Sequence, residues 1–529
     1  QASTGVSYPT GLRGDVLVLS FSSAELFMLT IFGLSMVAVL SGRSLTKGIA
    51  AAGIGLVIGA IGTAPATGEA RMTFGIDYLY DGVPLVVVAM GLFAIPEVID
   101  LLKRGTAISE TTALGGGWGK GMRDVLRHPW LVARCASMGC VIGALPGLGG
   151  AVVDWIAYSH VVQTSRDKSK FGKGDVRGVI APESANNACQ GGALIPTLLF
   201  GVPGSGSMAV FLGGMVLLGI QPGVTMVETR LDLTYTIIWS LALANVFGAG
   251  LCVFLARPVA RLTQVPFVYL APFMVMIAMF AAFQASRSMS DLVALIVMGV
   301  VGIYMRRFGW PRPALLIGFV LAPGAENYLY QAVQFYDWGW VTRPGVLIIA
   351  LITVVSVFLG LRFGTEISSE GESDAADQQT RSRQIAFAGV LFLLAAYCVF
   401  EAAQLSFLGM VFPLAIGILA LIASLAVILR IRSGRVAEIH DDDASLTVAG
   451  KSSGREIYLA IFAGLVALIW LIGFIPAMAV FFPAFLIVAG KARVLPALLM
   501  TAGAVGFISL ITWAMTLRLP EGLPGLSLF

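Results

Sequence analysis

Charged residues are scarce in this chain. Asp, Glu, Lys and Arg make up 12% of its 529 residues, whereas soluble domains carry about 25%. Hydrophobic residues make up 57% and the mean hydropathy is +0.88, which excludes a soluble globular fold. Alternating apolar and polar segments of about ten residues are also absent, so a transmembrane barrel is not expected.

Residues that build most catalytic and metal sites are few and scattered. The five Cys form no CxxC pair, and His128, His160 and His440 are far apart, so neither a metal centre nor a bound cofactor is predicted. No GxxxxGK[ST] motif occurs, which excludes ATP hydrolysis by a P-loop. Ser205 does not lie in a GxSxG elbow, so we do not expect an enzyme. A membrane-embedded hydrolase or transferase stays an alternative.

The chain has long apolar segments instead. About 20 apolar residues in a helix span the hydrocarbon core, and such segments lie at 24–41, 82–102, 233–256, 266–283, 345–361, 385–403, 409–429, 456–473 and 495–517. Lys and Arg cluster in some of the intervening loops and avoid others, and the positive-inside rule places the rich loops in the cytoplasm. Exceptions are Arg71, Arg230, Arg287 and Arg343. The pattern predicts an all-α polytopic membrane protein.

Residues 130–163 run between two basic loops, so both ends of this segment are predicted to face the cytoplasm. Its centre reads GALPGLGG over 143–150. We therefore predict a re-entrant hairpin of two half-length helices with an irregular tip at membrane depth. Such a tip is tolerated only where it is buried in protein or lines a wet cavity.

A second interrupted stretch follows, GVIAPESANNACQGGALIPTLLFGVPGSG over 178–206. Pro182 suits the first position of a short helix and Glu183 its first turn. Gly191-Gly192 is expected to end that helix, Pro196 to kink the next piece, and residues 201–206 to unwind it. Both breaks contain Pro-Gly-x-Gly, and paired breaks in transporters indicate a binding site near the bilayer midplane.

Chemistry at these breaks favours a small anion. Half-helix starts offer N–H groups to carboxylates, and half-helix ends offer C=O groups to a cation. Neutral Asn and Ser donors avoid the cost of a central Lys or Arg, about 2.5–3.5 kcal/mol. The predicted substrate-binding residues are Pro146, Gly147, Gly149, Asn186, Asn187, Pro203, Gly204, Ser205, Gly206 and Ser207. Asp154, Glu183 and Glu326, in or beside apolar segments, are the candidates for cation coupling.

The alternative interpretation of these glycines is structural, because Gly and Pro also serve helix packing in membranes. A scaffold or assembly subunit that transports nothing is therefore the second hypothesis. The paired breaks, the Asn pair between them and the hairpin favour a site.

Four motifs are similar to the large membrane subunit of tripartite tricarboxylate transporters. They read TFGIDYLYDGVPLVVVAMGLFAIPE (73–97), GALPGLGGAVVDWIAYS (143–159), FGKGDVRGVIAPESANNACQGGALIPTLLFGVPGSGSMAVFLGGMVLLGIQPG (171–223) and PALLIGFVLAPGAENYLYQA (313–332). The resemblance covers residues 20–363. It implies secondary uptake, driven by Na⁺ or H⁺, of citrate or related tri- and dicarboxylates. It also implies a fold of two inverted halves with broken hairpins and a location in a bacterial inner membrane. The partner that it implies is a periplasmic carboxylate-binding protein, and nucleic acid is not an expected partner.

Beyond the linker the chain resembles the family's small membrane subunit. The polar segment 364–383, GTEISSEGESDAADQQTRSR, is too hydrophilic to cross a membrane. We expect three parts: a transport domain (1–363), a cytoplasmic linker (364–383) and a small-subunit module (384–529). Basic loops predict five crossings in the last part, so the two membrane subunits are expected to be fused in one chain.

The start of the chain departs from the family pattern. The resemblance implies a first half with its own Pro-Gly-rich hairpin, but QASTGVSYPTGLRGD opens this chain and only about one crossing precedes residue 73. The expectation is a missing N-terminal half, either truncated or supplied by a separate chain.

Overall fold

The computed structural model describes residues 22–40, 44–65, 67–104, 117–144, 149–168, 170–171, 173–223, 225–262, 265–363, 378–433 and 454–523. These residues are almost entirely helical, and one antiparallel pair of short strands, β1 (Gly62–Thr63) and β2 (Ala70–Arg71), lies among them. The prediction of an all-α polytopic membrane protein is confirmed.

Nineteen α-helices, α1 to α19, follow one another in the described part of the chain. In order they are Ser23–Leu40, Leu45–Gly59, Leu85–Arg104, Trp118–Arg127, Pro129–Gly143, Gly149–Thr164, Arg177–Phe200, Gly206–Leu217, Thr225–Glu228, Leu231–Leu262, Phe267–Ser286, Met289–Arg307, Arg312–Tyr336, Pro344–Phe363, Gln378–Ala402, Phe407–Arg432, Gly454–Ile472, Phe474–Val488 and Val494–Met515. Two 3₁₀ helices, Asp77–Asp81 and Asp337–Thr342, complete the elements.

Seven described helices are long and apolar enough to cross a membrane: Leu85–Leu102, Leu231–Ala256, Phe267–Ser286, Met289–Arg307, Arg381–Ala402, Phe407–Arg432 and Val494–Met515. The sequence analysis missed Met289–Arg307, whose ends carry Asp291 and Arg306. It also missed that Arg312–Thr342 and Pro344–Val355 form one pair bent by 67°, a broken span or a re-entrant loop. The predicted spans at 24–41 and 456–473 are also helical, but their apolar stretches, Ser23–Ser35 and Ile457–Ile472, are shorter than predicted.

The first of two compact units holds residues 1–41, 125–241 and 320–367. In it, α7 packs against α5 and α6, and α1 packs against α14. Buried Glu25 of α1 accepts a hydrogen bond from Arg343 at 2.8 Å, at the bend before α14. Arg343 also lies over the Tyr336 ring, 4.4 Å from its centroid. An ion pair therefore explains one arginine that the positive-inside rule left unexplained.

The second unit holds residues 42–124, 242–319 and 368–529. Helix α3 packs along α12 and α11, and the C-terminal α17, α18 and α19 share their hydrophobic core. The residues on either side of β2 are tied to the end of α15 and the start of α16, because the Met72 amide donates to Glu401 at 2.8 Å and the Ser406 hydroxyl to Glu69 at 2.7 Å. This hydrogen bond and the Ser406 amide hold the pKa of Glu69 below its usual range.

The C-terminal helices thus belong to the same compact unit as α3, α11 and α12. The domain division at residues 363 and 384 stays a prediction. Helix α15 begins at Gln378, within the segment predicted as the linker. The guanidinium of Arg381 donates to the Ile431 carbonyl at 2.7 Å, which satisfies the end of α16 and holds the first turn of α15 in helical form.

The predicted interruption of α7 at Gly191-Gly192 is wrong. A single helix of 24 residues runs from Arg177 to Phe200 with Pro182 and Pro196 inside it. Pro182 is therefore not a first-turn residue, and Glu183 lies in the second turn. Pro and Gly are tolerated inside membrane helices where neighbouring helices support them, and here α5 and α6 pack along α7.

Candidate functional site

Helices α5 and α7 touch through their backbones. A Cβ built on Gly139 would lie 2.1 Å from the Ala185 carbonyl oxygen, and one built on Gly143 would lie 2.1 Å from that of Cys189. Gly192 of α7 approaches the Cys140 carbonyl oxygen as closely. Only glycine fits at such a crossing, as in other small-residue membrane helix pairs. Gly192, one of the two glycines predicted to end a helix, instead brings two helices together.

The predicted break at 201–206 is confirmed. Helix α7 ends at Gly201, which takes the left-handed conformation (φ 64°), one that glycine adopts at little cost. The Val202 amide donates to the Pro196 carbonyl at 3.1 Å, and the Gly223 amide donates to that of Leu198 at 2.9 Å. These bonds satisfy carbonyls that a helix end leaves without partners. The break is thus a capped, ordered turn.

The end of α5, just before the first predicted break, contacts the second break. A Cβ on Gly204 would lie 3.0 Å from the carbonyl oxygen of Gly143, the last residue of α5, and 3.0 Å from Ala193 of α7. Helix α6 begins at Gly149. Pro146 and Gly147 lie outside the described residues. The end of the first half-helix and the turn between α7 and α8 are therefore neighbours, as paired breaks around one site require.

The turn ends at the start of α8, which carries neutral hydrogen-bond donors. Ser205 is its N-cap: its hydroxyl accepts from the Met208 amide at 3.3 Å and lies 3.2 Å from the Ser207 hydroxyl. The amides of Gly206 and Ser207 have no acceptor within the helix, because the first turn lacks one. Pro203 and Gly204 are buried, whereas Ser207 is exposed. This end of α8 therefore offers N–H and O–H groups to an anion.

Two of the predicted donors lie farther away. Asn186 and Asn187 are in the middle of α7, Asn186 half-buried and Asn187 exposed. Ala193, which Gly204 touches, follows Asn187 by six residues, about 9 Å along a helix axis. The Asn pair is therefore about two turns from the Ser205 turn. The sequence put them in one set because residues close in sequence were taken as close in space.

The three candidate carboxylates differ in their surroundings. Asp154 of α6 has one carboxylate oxygen, Oδ1, that is buried with no hydrogen-bond partner among the described residues. Glu326 of α13 is 4% exposed and has an interaction partner. Glu183 is exposed. The buried oxygen without a partner among the described residues favours Asp154 for a cation.

Sequence analysis missed Tyr328. Its hydroxyl lies 3.6 Å from the position of a Cβ on Gly201, so α13 lines the same turn. A sequence signal for Tyr328 was available, because it stands two residues after Glu326 in the motif 313–332. No spacing rule connects it with residues more than a hundred positions earlier.

The loop that leads into α7 is held by an ion pair. The Arg177 side chain donates to Asp175 at 2.7 Å, and the Arg177 amide donates to the same carboxylate at 3.0 Å. These bonds keep the pKa of the Asp175 carboxyl below its usual range. Asp175 stays ionised near neutral pH, where it complements the positive helix start.

This part of the chain is similar to known proteins. A profile described as "Tripartite tricarboxylate transporter TctA family" matches residues 15–317. The "Uncharacterized 52.8 kDa protein in TAR-I ttuC' 3'region" of Agrobacterium vitis is 31% identical over 321 residues, 60% of this chain and 63% of that protein. The "Uncharacterized protein in TAR-II ttuC' 3'region" of Agrobacterium vitis is 33% identical over 195 residues, 37% of this chain and 81% of that protein. No solved structure matches.

Proposed function

The chain belongs to the tripartite tricarboxylate transporter TctA family, and we propose that it is the membrane component of a secondary, cation-coupled importer of tri- or dicarboxylates such as citrate. The chain spans 63% of the length of the first relative above, so substrate, partners and activity are all part of the proposal. The single observation that carries it is the meeting of the two broken helices at Gly143 and Gly204.

The chemistry of that place supports a carboxylate. Hydroxyls of Ser205 and Ser207 and the amides that open α8 form a cluster of neutral donors. Neutral donors satisfy an anion while it is bound and carry no uncompensated charge when it leaves. Glycine at 204 lets this turn pack closely against Gly143 and Ala193, next to those donors. A carboxylate bridging Ser205 and Ser207 fits these donors.

Asp154 is the proposed cation-coupling residue. Its bare, buried Oδ1 is a strong acceptor in a place of low dielectric, where an unpaired carboxylate is costly. A bound sodium ion or a proton removes that cost. Since α6 starts at the same hairpin whose first helix touches Gly204, cation and carboxylate would occupy neighbouring places.

Ser205→Ala is expected to weaken citrate binding to the purified chain by about tenfold, the loss of one hydrogen bond to a charged ligand. Ser207→Ala should weaken it similarly. Isothermal titration in detergent measures both. Since Ser205→Ala also removes a helix cap, worth about 1 kcal/mol of stability, the matched control is Ser288→Ala. Ser288 caps α12, so this variant should lose comparable stability and keep its affinity.

Equal affinities for Ser205→Ala and Ser288→Ala would contradict a site at the start of α8. A further pair, Asn186→Ala and Asn187→Ala, tests the sequence-based set. If both Asn variants keep their citrate affinity while the Ser205 and Ser207 variants lose it, the site is restricted to the Ser205 turn.

Asp154→Asn is expected to remove the dependence of citrate affinity on sodium or on pH, whichever the wild type shows, because a neutral amide needs no cation. The affinity itself, measured at saturating cation, should change by less than about threefold. Glu183→Gln, at an exposed position of α7, is the control and should keep the dependence. Retained cation dependence in Asp154→Asn would place coupling elsewhere, with Glu326 the next residue to substitute.

Transport itself is tested by uptake of labelled citrate into proteoliposomes, with and without a sodium gradient and a periplasmic binding protein. We propose that residues 384–529 act as the small membrane subunit and that the protein resides in a bacterial inner membrane. A requirement for a separately added small subunit would contradict the fused arrangement. No saturable uptake under any of these conditions would favour the scaffold alternative, and turnover of a membrane substrate the enzyme alternative.

A further inference from the structure

Helix α4 carries an apolar face that nothing in the described chain covers. Exposed fractions are 69% for Met122, 44% for Val125 and 74% for Leu126. With a rotation of about 100° per residue, these three side chains lie on one side of the helix. At ten residues, Trp118–Arg127, the helix is about 15 Å long and too short to span hydrocarbon. Its apolar face must therefore be covered by some other surface.

The flank of α4 next to Leu126 is basic. Lys120, Arg123 and Arg127 are all exposed and lie within about 60° of one another around the axis, beside the apolar face. A short helix with apolar side chains on one face and Lys or Arg beside them is typical of segments that lie in the membrane interface. The flexible stems of Lys and Arg let their charges reach lipid phosphates while the apolar face is buried.

The neighbouring residues continue this surface. Helix α4 ends at Arg127, non-helical His128 follows, and α5 begins at Pro129. Trp130, in the first turn of α5, is 77% exposed. Tryptophan is enriched where membrane meets water. An exposed aromatic side chain therefore follows the apolar face of α4 closely along the chain.

We propose that α4 is an interfacial anchor that binds the headgroups of anionic phospholipids. Charge complementarity decides in favour of this occupant, since three exposed basic side chains border the apolar face. A basic residue near an anionic leaflet contributes about fivefold in binding. The anchor stands immediately before the hairpin of α5 and α6, so anionic lipid holds the first residues of that hairpin at the membrane surface.

The test is hydrogen–deuterium exchange of the full chain reconstituted in vesicles of phosphatidylcholine alone or with about 30% phosphatidylglycerol. Amides of 118–127 are expected to exchange about tenfold more slowly in the anionic vesicles, and added salt should reduce that difference. Lys120→Glu with Arg123→Glu should abolish the difference, whereas Lys120→Arg with Arg123→Lys should keep it. Leu126→Asp should speed exchange in both compositions.

Exchange in α11, residues 267–286, reports whether each variant is folded and should stay unchanged. Equal exchange of wild-type α4 in the two compositions would overturn the proposal. A lipid difference that survives charge reversal would also overturn it, because the headgroup would not be what α4 recognises. Protection by a soluble protein in place of lipid would assign the face to a protein partner. None of these outcomes depends on citrate binding or uptake.

Discussion

Gly192→Ala is expected to destabilise the protein by about 3 kcal/mol, while Gly191→Ala, one position earlier, should be neutral or stabilising by up to about 1 kcal/mol. Both residues lie inside α7, where alanine is the better helix former. A Cβ on Gly192 would lie 2.1 Å from the Cys140 carbonyl oxygen, whereas a Cβ on Gly191 would meet nothing within 4 Å. The two substitutions thus make the same chemical change, and only the helix contact differs.

Thermal unfolding of the purified variants in one detergent measures this difference. Backbone atoms cannot rotate away as a side chain does, so α5 and α7 must separate in Gly192→Ala. Because Gly143 ends α5 beside Gly204, citrate affinity should fall together with stability in this variant. Equal unfolding midpoints for the two variants would show that α5 and α7 are not in backbone contact.

Asp291→Ala is expected to cost about 3 kcal/mol, because it leaves several buried donors without an acceptor. Asp291 is fully buried and opens α12. Its carboxylate accepts from the Tyr78 hydroxyl at 2.9 Å, from the Ser286 hydroxyl at 2.7 Å and from the Ser288 amide at 3.3 Å. Asp81→Ala, at an exposed position in the Asp77–Asp81 turn, is the control and should be near neutral.

A double-mutant cycle isolates the bond to Tyr78. Tyr78→Phe alone should cost about 1 kcal/mol, and in the Asp291→Ala background it should cost much less. Burial and then the Asp291 carboxylate raise the pKa of Tyr78 above its ordinary 10.0. The stability that this hydrogen bond contributes is therefore fully present below pH 10 and is lost only as the pH rises through the raised pKa of Tyr78. The difference in unfolding free energy between wild type and Tyr78→Phe should therefore be constant between about pH 6 and 9. The bond would be contradicted if the two substitutions had additive effects on stability, or if the difference in unfolding free energy varied with pH in this range.

Several features of the fold follow from local chemistry, which is why the sequence predicts them. The break at 201–206 depends on Pro203, which cannot donate a helix hydrogen bond, and on Gly201, which adopts φ above zero without strain. Both properties belong to the residue itself. The low charge and the repeated apolar runs likewise predict an all-α membrane protein, because only helices satisfy every backbone group within one segment in lipid.

Partners distant in the chain could not be predicted. Arg343 looked misplaced by the loop-charge rule, and its partner Glu25 lies 318 positions away. Tyr328 lines the turn at Gly201 from another helix. Only the segment at 345–361 was predicted as a span, whereas the structure has a pair of helices over 312–355 that is bent by 67° between Thr342 and Pro344.

By itself the sequence determined the fold class and the place of the break at Gly201. Only the tertiary structure decided that Gly192 joins helices where Gly-Gly was expected to end one, that Gly143 and Gly204 are neighbours, and that the Asn pair stands about two turns from Ala193, the residue of α7 beside Gly204. The physical reason is that a glycine's absent side chain has two uses, freedom to turn and room for contact. Which of them applies depends on what the neighbouring helix places opposite.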